Sequence, residues 1–262
     1  MQDVQNRFDD RGIDIQKVGV KDVHLPLQMA TKEGGYQNVL GKVSLSVSLP
    51  MQFKGTHMSR FMEILLPWST KPISNLEIRS ILTNTCEVLN SDSAELSIKF
   101  KYFVDKMAPV SGKKSVLDYD CEFAGVISNG KSTFTLGVEV PVTSCCPCSK
   151  EISDYGAHNQ RAVIRCKVRF NHRGFLWIED LVRLLEAQGS CEIYPLLKRE
   201  DERFVTQMAY DNAKFVEDIL RDCVITLRNN EVIRWFELEC ESFESIHNHS
   251  AFACHTEDKR MI

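Results

Sequence analysis

The sequence predicts an α+β protein of antiparallel sheets with paired helices on one face. Several segments alternate apolar and polar residues with period two. Others carry apolar stripes at helical spacing, and the two kinds follow each other in a similar order twice. That order is strands, two helices, strands, then strands, two helices, strand. It suggests two similar halves meeting near residue 130, with modules expected at 1–129 and 130–262, although no sequence identity between the halves is evident.

Strict alternation marks strands at Val43–Leu49 and Leu96–Tyr102, each with one apolar and one polar face. Between them, Ser74-Asn75-Leu76-Glu77 has capping-box spacing, and Ile78, Leu82, Thr85 and Leu89 recur with helical period. A shorter helix around Met58–Leu66 precedes it and ends at Pro67. Period two returns at Leu117–Phe123, Phe134–Val140 and Ile164–Phe170. The pattern then turns helical through Ile178, Leu181, Val182 and Leu185, closed by Gly189. A longer stripe runs through Val205, Met208, Phe215, Ile219, Cys223 and Leu227. A last strand, Phe236, Leu238 and Cys240 alternating with Glu237, Glu239 and Glu241, closes the chain. Such sheets leave edges unpaired; closing them into a barrel between subunits removes the edges, so an oligomer is expected.

Composition narrows the function. A chain of 262 residues, 43% hydrophobic, can bury one large core or two domains of about 130 residues. Its net charge of −4 provides no basic stripe for neutralising a phosphate backbone, which argues against nucleic acid as a partner. The polar, acidic stretch Met1–Asp10 lacks the apolar core of an export signal, and no run approaches the roughly 18 apolar residues of a membrane helix. A cytoplasmic protein is expected, so the ten cysteines should be free thiols or metal ligands. Cys86, Cys121, Cys166, Cys191, Cys223 and Cys240 lie in apolar-patterned segments and read as small core residues.

Gly125-Val126-Ile127-Ser128-Asn129-Gly130-Lys131-Ser132 matches the phosphate-loop pattern letter for letter. A phosphate loop needs a helix directly after it, whereas Ser132–Val140 is β-branched and alternates like a strand. Asn129-Gly130 therefore reads as a hairpin turn, and any nucleotide binds elsewhere.

The segment Thr143–Arg161 holds Cys145, Cys146 and Cys148 around Pro147, with His158 ten residues after Cys148. Thiolate and imidazole are good zinc ligands. A closed structural site wants four such donors in paired spacings, and the next cysteine, Cys166, is alone inside a strand. An open site, in which a metal lowers the pKa of bound water to about 7, fits better. Residue types alone leave this reading and that of a loop with incidental cysteines equally open.

The segment Thr143-Ser144-Cys145-Cys146-Pro147-Cys148-Ser149-Lys150-Glu151-Ile152-Ser153-Asp154-Tyr155-Gly156-Ala157-His158-Asn159-Gln160-Arg161 resembles the signature of the type IB GTP cyclohydrolases. Other family-like blocks occur in the expected order, Arg11-Gly12-Ile13, Lys17–Val20 and Lys54–Arg60 before this segment and Tyr194–Arg199, Asp201-Glu202, Phe215–Asp218 and Ile246–His249 after it. Cys145 stands where the family usually has leucine, and Glu200 and Ala213 replace prolines.

This resemblance implies two tandem tunnelling-fold modules per subunit, a homotetramer with sites between subunits, and a bacterial cytoplasmic setting. It also implies hydrolysis of GTP by water to formate and 7,8-dihydroneopterin triphosphate, the first step of folate biosynthesis. The implied metal ligands are Cys146, His158 and Glu202, holding zinc or manganese with a position left for water. From spacing alone Glu202, in the charged run Lys198–Arg203, is more economically a solvated helix start.

The resemblance makes Glu217 the purine anchor, its two carboxylate oxygens matching the ring N–H and amino group of guanine. Its ordinary reading is a surface partner for Arg221. Cys148 is assigned proton transfer or stabilisation of an intermediate beside the metal, although a lone cysteine is more often inert. His247, with His249 nearby, is the candidate for protonating the imidazole nitrogen. Arg60 and Lys150 are candidates for the triphosphate, and either could equally be an ordinary surface cation. Two other functions compete: a nitrile reductase of the same fold class using a cysteine nucleophile and NADPH, and a non-catalytic module binding zinc and nucleotide.

Overall fold

The structure, a computed structural model, describes Gln5 and residues 7–261. Residues 1–4 and Asn6, part of the stretch read above for an export signal, lie outside the described residues. The chain forms two compact units, one from residues 1–101 and 121–136, the other from 102–120 and 137–262.

In the first unit β1 (Ile15–Ala30) and β2 (Tyr36–Leu49) pair antiparallel along most of their length. They are followed by α1 (Met58–Leu65), β3 (Pro72–Ile73), α2 (Asn75–Leu89) and β4 (Ser93–Met107). β2 pairs with β4, Lys42–Val47 against Ala94–Lys99, and β3 runs parallel to β1. Ser74 caps α2: its Oγ accepts from the Leu76 amide at 3.3 Å, and Glu77 Oε2 accepts from the Ser74 amide at 2.8 Å. The apolar stripe Ile78, Ile81 and Leu82 is buried.

β5 (Lys114–Ser128) and β6 (Lys131–Cys145) are joined at Asn129 and Gly130. Both residues have positive φ, 49° and 75°, as a tight hairpin turn requires. Gly125 meets a packing demand: a Cβ there would lie 2.5 Å from Ile78 Cγ2 and 2.8 Å from Leu82 Cδ1. The apparent phosphate loop is thus a hairpin whose first glycine admits a helix and whose second makes the turn.

The second unit takes the ends of β4, β5 and β6 nearer its core and adds α3 (Pro147–Ile152), β7 (Asn159–Phe170), α4 (Ile178–Glu186), β8 (Cys191–Glu192), α5 (Arg199–Asp211), α6 (Val216–Asn229), β9 (Ile233–Ser242) and β10 (Ala251–Asp258). β9 lies between β7 and β10, antiparallel to both. Its buried face, Phe236, Leu238 and Cys240, meets Ile219, Cys223 and Leu227 of α6 in one core. On the opposite face Arg165 bridges Glu239 at 2.7 Å and Glu241 at 2.8 Å, and Lys167 reaches Glu237 at 2.9 Å. Burial pushes the thiols of Cys166, Cys223 and Cys240 upward, that of Cys240 to about 12.

Four features differ from the sequence expectation. The stripe from Val205 to Leu227 is two helices, because Asn212 leaves helical geometry at φ −105°, ψ 47° and its side chain bonds the Gly189 and Ser190 carbonyls instead. β9 is followed by a further strand, β10, whose alternation exposes Phe252 and Cys254 and so lacks an apolar signal. β1, with nearly half of its length exposed and two register irregularities, likewise lacks a clean alternation. Cys86 is only half-buried, whereas Cys121, Cys166, Cys191, Cys223 and Cys240 are core residues as expected.

Candidate active site

The segment between β6 and β7 is a short knot. Pro147, preset for a first helical position, starts α3, and Cys146 is its N-cap. The Cys146 amide donates to the His158 carbonyl at 3.1 Å, so the two ends of the loop are hydrogen-bonded to each other. Ser149 fastens the inside: its Oγ donates to the Cys146 carbonyl and accepts from the His158 amide, both at 3.1 Å, while its amide points at Cys146 Sγ at 3.5 Å. The start of the segment is therefore helical, and Cys148 sits exposed in the first turn of α3.

His158 is oriented from behind. Its Nδ1 lies 2.8 Å from Gln160 Oε1, and Gln160 Nε2 donates to Glu244 Oε1 at 3.2 Å and to Ser242 Oγ at 3.3 Å. A carboxylate can only accept, so Glu244 fixes which end of the amide faces it, and the Gln160 oxygen is left for the imidazole. His158 then carries its proton on Nδ1 and presents the lone pair of Nε2, the arrangement a metal-ligating histidine uses.

The helices bearing the other candidates are laced to the end of β6. The Lys214 amide donates to the Cys145 carbonyl at 3.0 Å, and Lys214 Nζ holds the Gln188 carbonyl at 3.0 Å and Asp222 at 2.7 Å. The Cys145 amide donates to Ser190 Oγ at 3.1 Å. Gly189 allows this approach, since a Cβ there would sit 2.6 Å from Val142 Cβ. Under the knot, Cys145, Cys191 and Ala209 form a small buried cluster with Ala157, Val205 and Ala213 against it. Cys145 thus fills the apolar role of the usual leucine.

Glu202, Val205 and Ala209 occupy positions i, i+3 and i+7 of α5, one helical stripe, so Glu202 is one turn beyond the residues packed under Cys145. Its carboxylate is exposed and, among the described residues, has no hydrogen-bond or ion-pair partner. Among those residues no three His, Cys, Asp or Glu side chains are gathered closely enough to hold an ion. The structure joins Cys146 to His158 and leaves Glu202 outside that pair. Thiol, imidazole and carboxylate are nonetheless a donor set that suits zinc, and the carboxylate admits manganese.

Glu217, on the first turn of α6, is exposed and likewise unpartnered among the described residues, because Arg221 pairs with Asp218 at 3.0 Å rather than with it. The ordinary surface pairing with Arg221 is therefore not formed. His247 and His249 are exposed, their rings stacked 5.0 Å apart at 11°. Lys150 Nζ donates to the Tyr210 carbonyl at 2.6 Å and lies 4.4 Å from that ring. Arg60 is in the first unit, exposed, with one 3.4 Å bond to the Val88 carbonyl. Sequence reasoning passed over Ser149, Gln160, Ser242 and Glu244; their signal was the adjacency of Gln160 to His158 within the loop motif.

The family described as type I GTP cyclohydrolase folE2 matches residues 1–253. The chain belongs to that family. Among its relatives, a GTP cyclohydrolase FolE2 of Syntrophobacter fumaroxidans is 50% identical over 258 residues, covering 97% of this chain and 98% of that one. Another, of Geobacter sulfurreducens, is 50% identical over 260 residues, 99% of each chain. Among solved structures, uricase from Arthrobacter globiformis superposes with a TM-score of 0.53 at 9% identity, covering 93% of both chains. Urate oxidase from Bacillus sp. TB-90 gives 0.52 at 8%, covering 94% of this chain and 100% of that one. At such identity these show the fold alone, and it is the tunnelling fold that the GTP cyclohydrolase resemblance implied. Among the described residues no helix is long and apolar enough to cross a membrane.

Proposed function

We propose that this chain is a GTP cyclohydrolase, opening the guanine imidazole ring of GTP with water and releasing formate and 7,8-dihydroneopterin triphosphate for folate biosynthesis. The observation that carries the reading is the knot that binds Cys146 to His158 and leaves His158 Nε2 free as a ligand, within a family match spanning residues 1–253. A zinc or manganese ion held by Cys146, His158 and Glu202 would supply a water activated at neutral pH.

The chain's own groups do the rest. Glu217, with both oxygens uncommitted, accepts from the guanine ring N–H and amino group and fixes the purine edge. His247, exposed beyond β9, protonates the imidazole nitrogen as the ring opens. Cys148 handles a proton at the opening carbon. Arg60 and Lys150 meet the triphosphate, for which Lys150 must exchange its bond to the Tyr210 carbonyl. Two waters are consumed in ring opening and deformylation and one is released on pterin closure, a net hydrolysis.

The tandem modules, 1–129 and 130–262, would assemble as a cytoplasmic homotetramer with the substrate residues completed between subunits. The test is a pair of variants. Cys146→Ala should lose bound metal and turnover together, and Cys148→Ala should lose turnover with metal retained. Retention of both properties by both proteins would refute the assignment.

A further inference from the structure

Asp201, next to the proposed ligand Glu202, has no place in the reaction just described, yet it is fully buried in a run of charged residues. Its Oδ1 accepts from the Val110 amide at 2.9 Å and the Ser111 amide at 2.8 Å. Its Oδ2 accepts from Ser111 Oγ at 2.6 Å and from the Lys198 amide at 2.8 Å. Only the bond to Lys198 is a helix cap, and a cap needs no burial. The other three reach back to the turn between β4 and β5, ninety or ninety-one residues earlier.

That turn is itself well fixed. The Ala108 amide bonds the Lys113 carbonyl at 2.9 Å, and the Gly112 amide bonds the Ala108 carbonyl at 3.1 Å. Just before it, Lys106 is buried between Glu186 at 2.9 Å and Glu192 at 2.5 Å. With every bond of its carboxylate directed to this turn and the cap, Asp201 is unavailable to an ion. Adjacent helical residues project about 100° apart, so a buried Asp201 also dictates the direction of Glu202.

We propose that Asp201 is a positioning residue: by gripping Val110 and Ser111 it fixes the first turn of α5, and with it the stripe on which Glu202 stands one turn beyond the residues packed against Cys145, and so sets the affinity for the divalent metal. This rests on the ligand assignment above. Outer groups that orient a ligand change metal affinity by about ten- to a hundredfold when removed.

The test is zinc affinity of the full chain by competition with a chromophoric chelator, alongside melting temperature, for Asp201→Asn, Ser111→Ala, Glu202→Gln and the Asp201→Asn/Glu202→Gln double variant. Asp201→Asn should weaken zinc about ten- to a hundredfold. Ser111→Ala, which keeps Asp201 and decides the matter if Asp201→Asn does not fold, should weaken it several-fold. On the Glu202→Gln background Asp201→Asn should add little, because it acts through that side chain. A lowered melting temperature with zinc affinity unchanged would make Asp201 a helix cap only, and full additivity with Glu202→Gln would place its effect elsewhere; either overturns the proposal. Full zinc affinity in Glu202→Gln is a separate result, overturning the ligand assignment itself.

Discussion

Replacing Lys106 by methionine tests how the second unit supports its site. Among the described residues the ammonium is the only positive partner of Glu186: the Lys106 and Glu186 side chains are 6% and 3% exposed, 2.9 Å apart. Tyr119 donates to the other Glu186 oxygen at 2.6 Å, and burial already raises the Glu186 carboxyl above its usual range while Lys106 opposes that rise. Methionine preserves most of the stem and removes the charge, leaving a buried carboxylate uncompensated. Breaking such a pair costs about 3–5 kcal/mol. At about 2–4 °C per kcal/mol for a chain of this size, the melting temperature should fall about 6–20 °C at pH 8.

The sign with pH follows from the raised Glu186 carboxyl. Above its unfolded value the folded protein binds more protons than the unfolded one, so stability falls as pH rises through this window and recovers on acidification. The deficit of Lys106→Met should therefore shrink at pH 5.5, and Lys106→Met/Glu186→Gln, which keeps an acceptor for Tyr119, should recover most of it at pH 8. Thermal melts at both pH values measure this. A loss under about 1 kcal/mol, or one equal at the two pH values, would refute the buried-charge argument.

Other expectations concern the site and the core. Glu217→Gln should weaken GTP about ten- to a hundredfold, the worth of charged hydrogen bonds of about 1.5–3 kcal/mol, with metal content intact; unchanged affinity in a calorimetric titration would return Glu217 to the surface. Gln160→Leu should lower zinc affinity about tenfold by freeing the His158 ring, and unchanged affinity in chelator competition would show that Gln160 does not orient it. Cys240, held near 12 by burial, keeps its proton when the unfolded chain, near about 8.5, has lost it. Stability should thus fall by about 1.4 kcal/mol per pH unit above that point. Urea midpoints at pH 8 and pH 10 should show a shallower fall for Cys240→Ala, and equal falls would contradict the burial argument.

The strands that bury one face were legible because alternation reports burial directly: β4, β7 and β9 all read from sequence, and α2 announced itself through Ser74 and Glu77. β10 did not, since the residues it exposes include Phe252 and Cys254. The break between α5 and α6 was hidden because Asn212 is stopped by carbonyls of Gly189 and Ser190, a tertiary cause that no local signal carries. In the site, the loop motif placed Cys146 and His158 in one segment, and the backbone bond between them closes it. The support from Glu244 and from Asp201 depends on contacts about ninety residues apart, which spacing along the chain does not encode.

The most direct measurement of the account is formate released from GTP by the purified protein with zinc or manganese, followed together with pterin fluorescence after oxidation. One formate per pterin formed, abolished in Cys146→Ala, is the predicted result. Intact, folded protein that binds GTP and either metal yet releases no formate would contradict it.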